Sequence, residues 1–306
     1  MKTDMELPLP GAELGASKMP GHWLLARLGK RVLRPGGLEL TRSMLRSLAI
    51  RRSDAVIEFA PGLGVTTRLV LDLHPASYIA IEENEAAANR IRSTLIGAKQ
   101  KCLVGTASQT QLPDNSATVL FGEAMLTMQG PAQKSQIVRE AARILTSGSR
   151  YGIHELCLVP DDLGEAAKLE IEHVLSKTIH VGARPLTAAE WRGLLEAEGF
   201  NVRCEMFRPM GLLKPKRLIQ DEGLSGAARF TWNLLRDAEA RQRVAAMRRV
   251  FMKYRRHLAA IMLVAIKAPE RERNRLDPEK ESHGNDGTPF ETANRLEMRW
   301  RRASFS

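Results

Sequence analysis

A chain of 306 residues, 43% hydrophobic and 26% charged, has ordinary globular composition and the length of one or two domains, which excludes a mainly disordered protein. The net charge of +11 fits a basic surface, but an aromatic content of 5% offers few platforms for stacking nucleic-acid bases. No apolar run approaches the ~20 residues that span a bilayer, and Cys102, Cys157 and Cys204 are too few and scattered for a disulfide framework or a metal site.

Residues 1–20 contain Pro8, Pro10, Gly11 and Gly15. Acids and prolines leave no signal-peptide core, so the segment reads as a flexible lead-in to a cytoplasmic protein. The stretch from His22 to Leu33 is amphipathic and stops at Pro35-Gly36-Gly37, and Thr41 can cap a second helix through Leu48. Residues 21–53 thus predict a helical lid. Strand-length apolar runs follow at 55–60, 78–82, 101–105, 118–122 and 150–156, with helices near 65–73, 85–98, 131–145 and from Asp161 to about His180. Such alternation predicts a mostly parallel sheet with helices on both faces. Thr187 and Glu190 form a capping box for a helix to Ala197.

The last two strands are expected at 201–207 and 259–268, with a helical insertion over 208–257. In the insertion, Val244, Met247, Phe251, Tyr254 and Leu258 form one stripe and arginines take the rest. The favoured reading is a helix packed on the core with a solvated basic face; a homodimer contact, anionic lipid or nucleic acid are the alternatives. Residues 269–306 have almost no aliphatic side chains and read as a disordered charged tail, eight basic and eight acidic residues from Glu270 onward. One domain, 21–268, remains. The basic excess lies in its first strand's approach and between Arg203 and Arg256.

Chemistry concentrates at Glu58-Phe-Ala60-Pro-Gly62-Leu-Gly64, where a strand passes through a glycine turn into a helix. Glycines let the backbone approach a ligand closely, and the free N–H groups of the helix face whatever lies over the strand end. Glu82 ends the next strand, where an acid binds a ribose diol in nucleotide-type sites. A dinucleotide loop would need a third glycine where Thr67 stands. His154 ends the fifth strand, on the edge where open α/β sheets bind ligands; it is a candidate general base, with a hydrogen-bonded structural histidine as the alternative. Met125, His180 and Arg184 are candidates for acceptor contact, and His22 and Trp23 for lid packing.

Four ordered segments, 58–64, 79–90, 105–126 and 137–156, resemble the motifs of class I S-adenosylmethionine-dependent methyltransferases, in particular the small-molecule group related to ubiquinone and menaquinone methyltransferases. The resemblance runs from about His22 to Ala268. It implies a Rossmann-like, seven-stranded, mostly parallel sheet and S-adenosylmethionine as cofactor. It further implies that Glu58 holds the cofactor's amino-acid end, and that Ala60, Gly62 and Gly64 form the wall beneath its methionine part. Glu82 would accept both ribose hydroxyls, and Thr106, where the family usually has aspartate, and Ala107 would meet the adenine. Glu123, Ala124 and Met125 would lie near the sulfonium. The expected partner is a small-molecule methyl acceptor. With no convincing base, the reading leans to a thiol or an acidic hydroxyl. A nucleic-acid-binding or RNA-modifying protein on the same fold is the alternative, and the absence of the usual base-methylating signature after the fourth strand counts against it.

Overall fold

The computed structural model describes residues 7–269. Five parallel strands, β1 (Ala55–Phe59), β2 (Ser77–Glu82), β3 (Gln100–Val104), β4 (Ala117–Glu123) and β5 (Leu145–Leu158), alternate with helices α3 (Val65–Leu71), α4 (Glu85–Arg92) and α5 (Pro131–Ile144). Chain order then gives α6 (Glu165–Ile179), a two-residue strand β6 (Leu186–Thr187), α7 (Ala188–Ala197), β7 (Phe200–Pro209) and β8 (Leu258–Lys267). The sheet order is β3-β2-β1-β4-β5-β8-β7, with β8 antiparallel to both neighbours. β6 adds a short eighth strand beside the end of β5.

Strand periodicity builds the layers. Ile57, Leu120 and Ile153 face α5 and α7, whereas Val56, Val119 and Phe121 face α3, α4 and the helix α2 (Gly37–Leu48). A parallel sheet buried on both faces needs apolar residues at both parities, and these strands have them. Local chemistry starts the helices. Thr187 and Glu190 make the expected capping box, Asn84 accepts the Ala87 N–H at the head of α4, and Pro131 occupies the first turn of α5.

Above the carboxyl edge of the sheet lies a second apolar cluster. It is built from α1 (Gly21–Arg27), α6 and two helices that fill the insertion, α8 (Pro215–Arg236) and α9 (Ala238–Lys253). Several expectations are corrected here. α1 ends at Arg27, not Leu33, because Gly29 takes φ +103° and the chain leaves the helix. α2 starts at Gly37 behind a left-handed Gly36, so Thr41 is no cap; it is buried inside the helix. α4 ends at Arg92, six residues early. The lead-in is not free over residues 7–20. Met19 and Ala16 are buried in the second cluster, and Arg243 donates to the carbonyls of Ala16, Ser17 and Met19. The expected tail, apart from its first residue, lies outside the described residues.

The lid is fastened to the insertion by charge. Lys30 is fully buried, with Nζ 3.6 Å from both Asp221 Oδ2 and Glu222 Oε1 on α8. Glu222 also accepts the N–H groups of Arg31 and Val32, and Asp221 accepts that of Leu38. Burial lowers the Lys30 ammonium against the pull of both carboxylates.

Candidate active site

A cavity of about 660 Å³ opens over the carboxyl ends of β1, β2 and β4, within the usual range for small-molecule sites. Its lining comes from two sources. The first is the sheet edge: Glu58, Ala60, Gly62, Glu82, Thr106, Ala107, Glu123 and Met125, all of them predicted. The second is the lid and roof, including His22, Leu25, Leu156, Leu175, Met210, Met247 and Phe251. Gly64 is not in the lining. It sits at φ +71°, where a Cβ would lie 2.9 Å from Ile91 Cδ1, so it closes the turn tightly against α4.

Three acids occupy the sheet edge in different states. Glu82 is held by two backbone donors, Gly62 N–H on Oε2 and Asn84 N–H on Oε1, each at 3.1 Å. Burial raises it, and these N–H groups oppose the rise. Glu58 Oε2 accepts from Thr67 Oγ1 at 2.9 Å and from the Tyr78 hydroxyl. Burial pushes Glu58 up to about 7, although both hydroxyls favour its ionised form.

Glu123 is the reverse. Burial would raise it, but the Arg34 guanidinium at 3.2 Å, His154 Nδ1 at 2.8 Å and the Thr41 hydroxyl at 2.5 Å from Oε1 outweigh burial and hold it at about 2. Thr66 donates to the other oxygen. Opposite charge and hydrogen bonds here exceed desolvation. Beneath it, buried Glu155 accepts the N–H groups of Met125, Leu126 and Thr127 and fixes the loop after β4. Ala60 and Ala124, at the ends of β1 and β4, take φ +50° and +53°. Non-glycine residues held in this region mark backbone that its surroundings over-determine, as at ligand sites.

The acceptor-side expectations are corrected. His154 is fully buried outside the cavity lining, with Nδ1 at Glu123 and Nε2 donating to the Pro35 carbonyl at 2.6 Å. No ring nitrogen is left for an acceptor's proton. His180 is the exposed, left-handed cap of α6, and Arg184 turns to Glu172 at 3.1 Å; neither lines the cavity. Their neighbours Ile179, Val181 and Ala183 do.

Two groups in the lining were missed. His22, read as packing, stands in the cavity wall; its ring makes no hydrogen bond within the described residues, and burial pulls it down to about 4. Arg34 also lines the cavity, with Nε given to Thr41 and Glu123 while Nη2 is buried without a hydrogen-bond partner. An orphaned guanidinium nitrogen is a site waiting for an anion. Open space at Gly62 and Gly105, Arg34 Nη2 and the acids together fit a ligand that joins an amino acid to a nucleoside.

The comparisons agree with this geometry. Residues 57–153 match the methyltransferase domain family. An uncharacterized protein of Haemophilus influenzae is 31% identical over 236 residues, 76% of this chain and 91% of that protein. The chain carries a methyltransferase domain with the fold of the class I S-adenosylmethionine-dependent methyltransferases. Among solved structures, phosphoethanolamine N-methyltransferase 2 of Haemonchus contortus, in complex with S-adenosyl-L-methionine, shares the fold with TM-score 0.62 and 12% identity. The match covers 81% of this chain and 57% of that one. The [4+2]-cyclase SpnF matches with TM-score 0.60 and 15% identity, over 80% of this chain and 93% of that one. One fold hosts different chemistries, so the reaction must be argued from the site.

Proposed function

We propose that this chain transfers a methyl group from S-adenosylmethionine to the thiol sulfur or acidic hydroxyl oxygen of a small, uncharged, largely apolar acceptor, which gives up its proton to solvent as S-adenosylhomocysteine leaves. The observation that carries the reading is a cavity in which an acid-lined, glycine-turned shelf adjoins an apolar chamber. When bound, the cofactor supplies a methyl group already activated on positive sulfur. On the shelf, Glu82 takes the ribose hydroxyls, Arg34 Nη2 the carboxylate and Glu58 the ammonium. Thr106 and Ala107 meet the adenine, and the Glu123 charge faces the sulfonium side.

The chamber sets the acceptor. Its walls from α1, α6, α9 and residues 210–212 carry no carboxylate, so a protonated amine would be desolvated there without compensation. His22, neutral at ordinary pH, accepts a hydrogen bond from S–H or O–H and aims the nucleophile. A thiol, with a pKa of ~8.5, reaches its reactive form with little help. The lid, pinned by His154 at Pro35, excludes water.

A labelled-cofactor assay against thiols, phenols, quinols, amines and RNA tests the reading. Turnover is expected with an apolar thiol or acidic phenol, reduced in His22→Phe. Label found in RNA alone, or in amines alone, would overturn it.

A further inference from the structure

The part of α8 beyond its break at Gly223 carries a feature that the cavity does not use. Its inner side, Gly226, Ala227 and Phe230, is buried. Leu224, Ala228, Trp232 and Leu235 recur at helical spacing on the opposite side. There Leu224 is 77%, Trp232 54% and Leu235 60% exposed. Arg229 and Arg236 border this stripe, and the Arg236 guanidinium lies 4.2 Å from the centre of the Trp232 ring. On the adjoining α9, Arg241, Arg248 and Arg249 are exposed. Among the described residues none of these five arginines pairs with a carboxylate. The acids between residues 223 and 257 are Asp237, which pairs with Arg27, and Glu239.

The geometry points to this face as a docking surface for an anionic phospholipid bilayer. Leucine and tryptophan side chains enter the boundary between headgroups and acyl chains, while arginines beside them reach the phosphates with their stems still in apolar surroundings. Charge complementarity selects this occupant. A second copy docking by a two-fold axis would bring the five arginines against their own equivalents, a like-charge encounter. Nucleic acid would satisfy the arginines and leave the two leucines against phosphate and sugar. Met247 and Phe251, on the inner side of α9, line the cavity, so docking would hold the chamber about one helix diameter, ~10 Å, from lipid. The docking itself does not depend on the acceptor reading.

Flotation of the full chain with phosphatidylcholine vesicles, with and without phosphatidylglycerol at roughly a third of the lipid, tests it. Binding is expected only to the anionic vesicles, falling steeply as salt rises from about 0.1 M to about 0.5 M. Leu224→Asp and Leu235→Asp, both at exposed positions, should each weaken it at least about tenfold, and Arg236→Gln or Arg248→Gln by roughly fivefold each. All four variants should keep the wild-type melting temperature. Absence of binding to anionic vesicles would overturn the inference, as would binding that the leucine variants leave unchanged. So would a dimer, or an RNA complex, that the same variants abolish in a protein that ignores lipid.

Discussion

Replacing Glu58 by Gln tests the electrostatics of the shelf. Burial pushes this carboxyl from 4.5 up to about 7 in the folded chain. The folded state therefore binds the proton more tightly than the unfolded state does. The stabilisation this provides is fully present below about pH 4.5 and is lost as pH rises through about 7. At about 1.4 kcal/mol for each tenfold in proton affinity, roughly 3 kcal/mol of folding free energy disappears across that window. Glutamine has no proton to lose and offers an amide oxygen to the same Tyr78 and Thr67 hydroxyls. Between about pH 5 and pH 8, stability should therefore shift in the variant's favour by roughly 2–3 kcal/mol. Any constant cost of the amide NH₂ cancels in that comparison. Urea melts of both proteins at the two pH values read it directly, and thermal melts should show a relative change of about 4–10 °C. A stability difference that stays the same at both pH values would refute the reasoning, since Glu58 would then not titrate between them in the folded chain.

Three further outcomes are expected. Glu82→Ala should weaken S-adenosylhomocysteine by about ten- to a hundredfold, roughly 1.5–3 kcal/mol for lost bonds to a charged acceptor; unchanged calorimetric affinity in a folded variant would misplace the acid. Arg34→Lys keeps the charge but removes Nη2, so it should weaken S-adenosylhomocysteine at least about fivefold and leave methylthioadenosine, which has no carboxylate, nearly unaffected. Equal losses for both ligands would remove Arg34 from the cofactor's amino-acid end. His154→Ala breaks the Glu123 and Pro35 contacts and should cost about 2–4 kcal/mol of stability, while the pH–rate profile of the residual activity keeps its shape. A profile that changes shape would return the imidazole to the chemistry.

The parts of this molecule visible in the sequence are those decided locally. Strand–helix alternation, the Thr187–Glu190 capping box and the glycine turn at 62–64 each rest on residues a few positions apart. Glu82 was visible because a two-residue change of element fixes it at a strand end, and the Gly62 N–H then comes to it from the neighbouring strand's turn. His154 was misleading because its position on the sheet edge is local information, whereas what occupies its ring is not: Pro35 lies 119 residues away. Arg34 was invisible for a related reason. It is one of eight Lys and Arg residues between 21 and 53, and only the folded chain shows that it lines the cavity with a buried nitrogen left without a hydrogen-bond partner. His22 looked like packing since an amphipathic pattern marks a covered side without telling whether it meets the core or a cavity wall.

The charged clasp between Lys30 and the Asp221–Glu222 pair has a consequence for how ligands come and go. An apolar seam resists opening in proportion to the surface it wets. Buried ions regain hydration when they part, which returns much of the attraction lost at 3.6 Å. A roof fastened this way carries its own counterweight: it shuts firmly against bulk salt, yet its release is close to an even exchange of partners. Product departure then need not wait on unfolding of the apolar cluster beneath. Amide hydrogen exchange at Val32 and Leu38, whose N–H groups are held by these same carboxylates, reads that breathing directly. Protection there well below that of β4 is the expected pattern, and equal protection would mean that lid and sheet open only together.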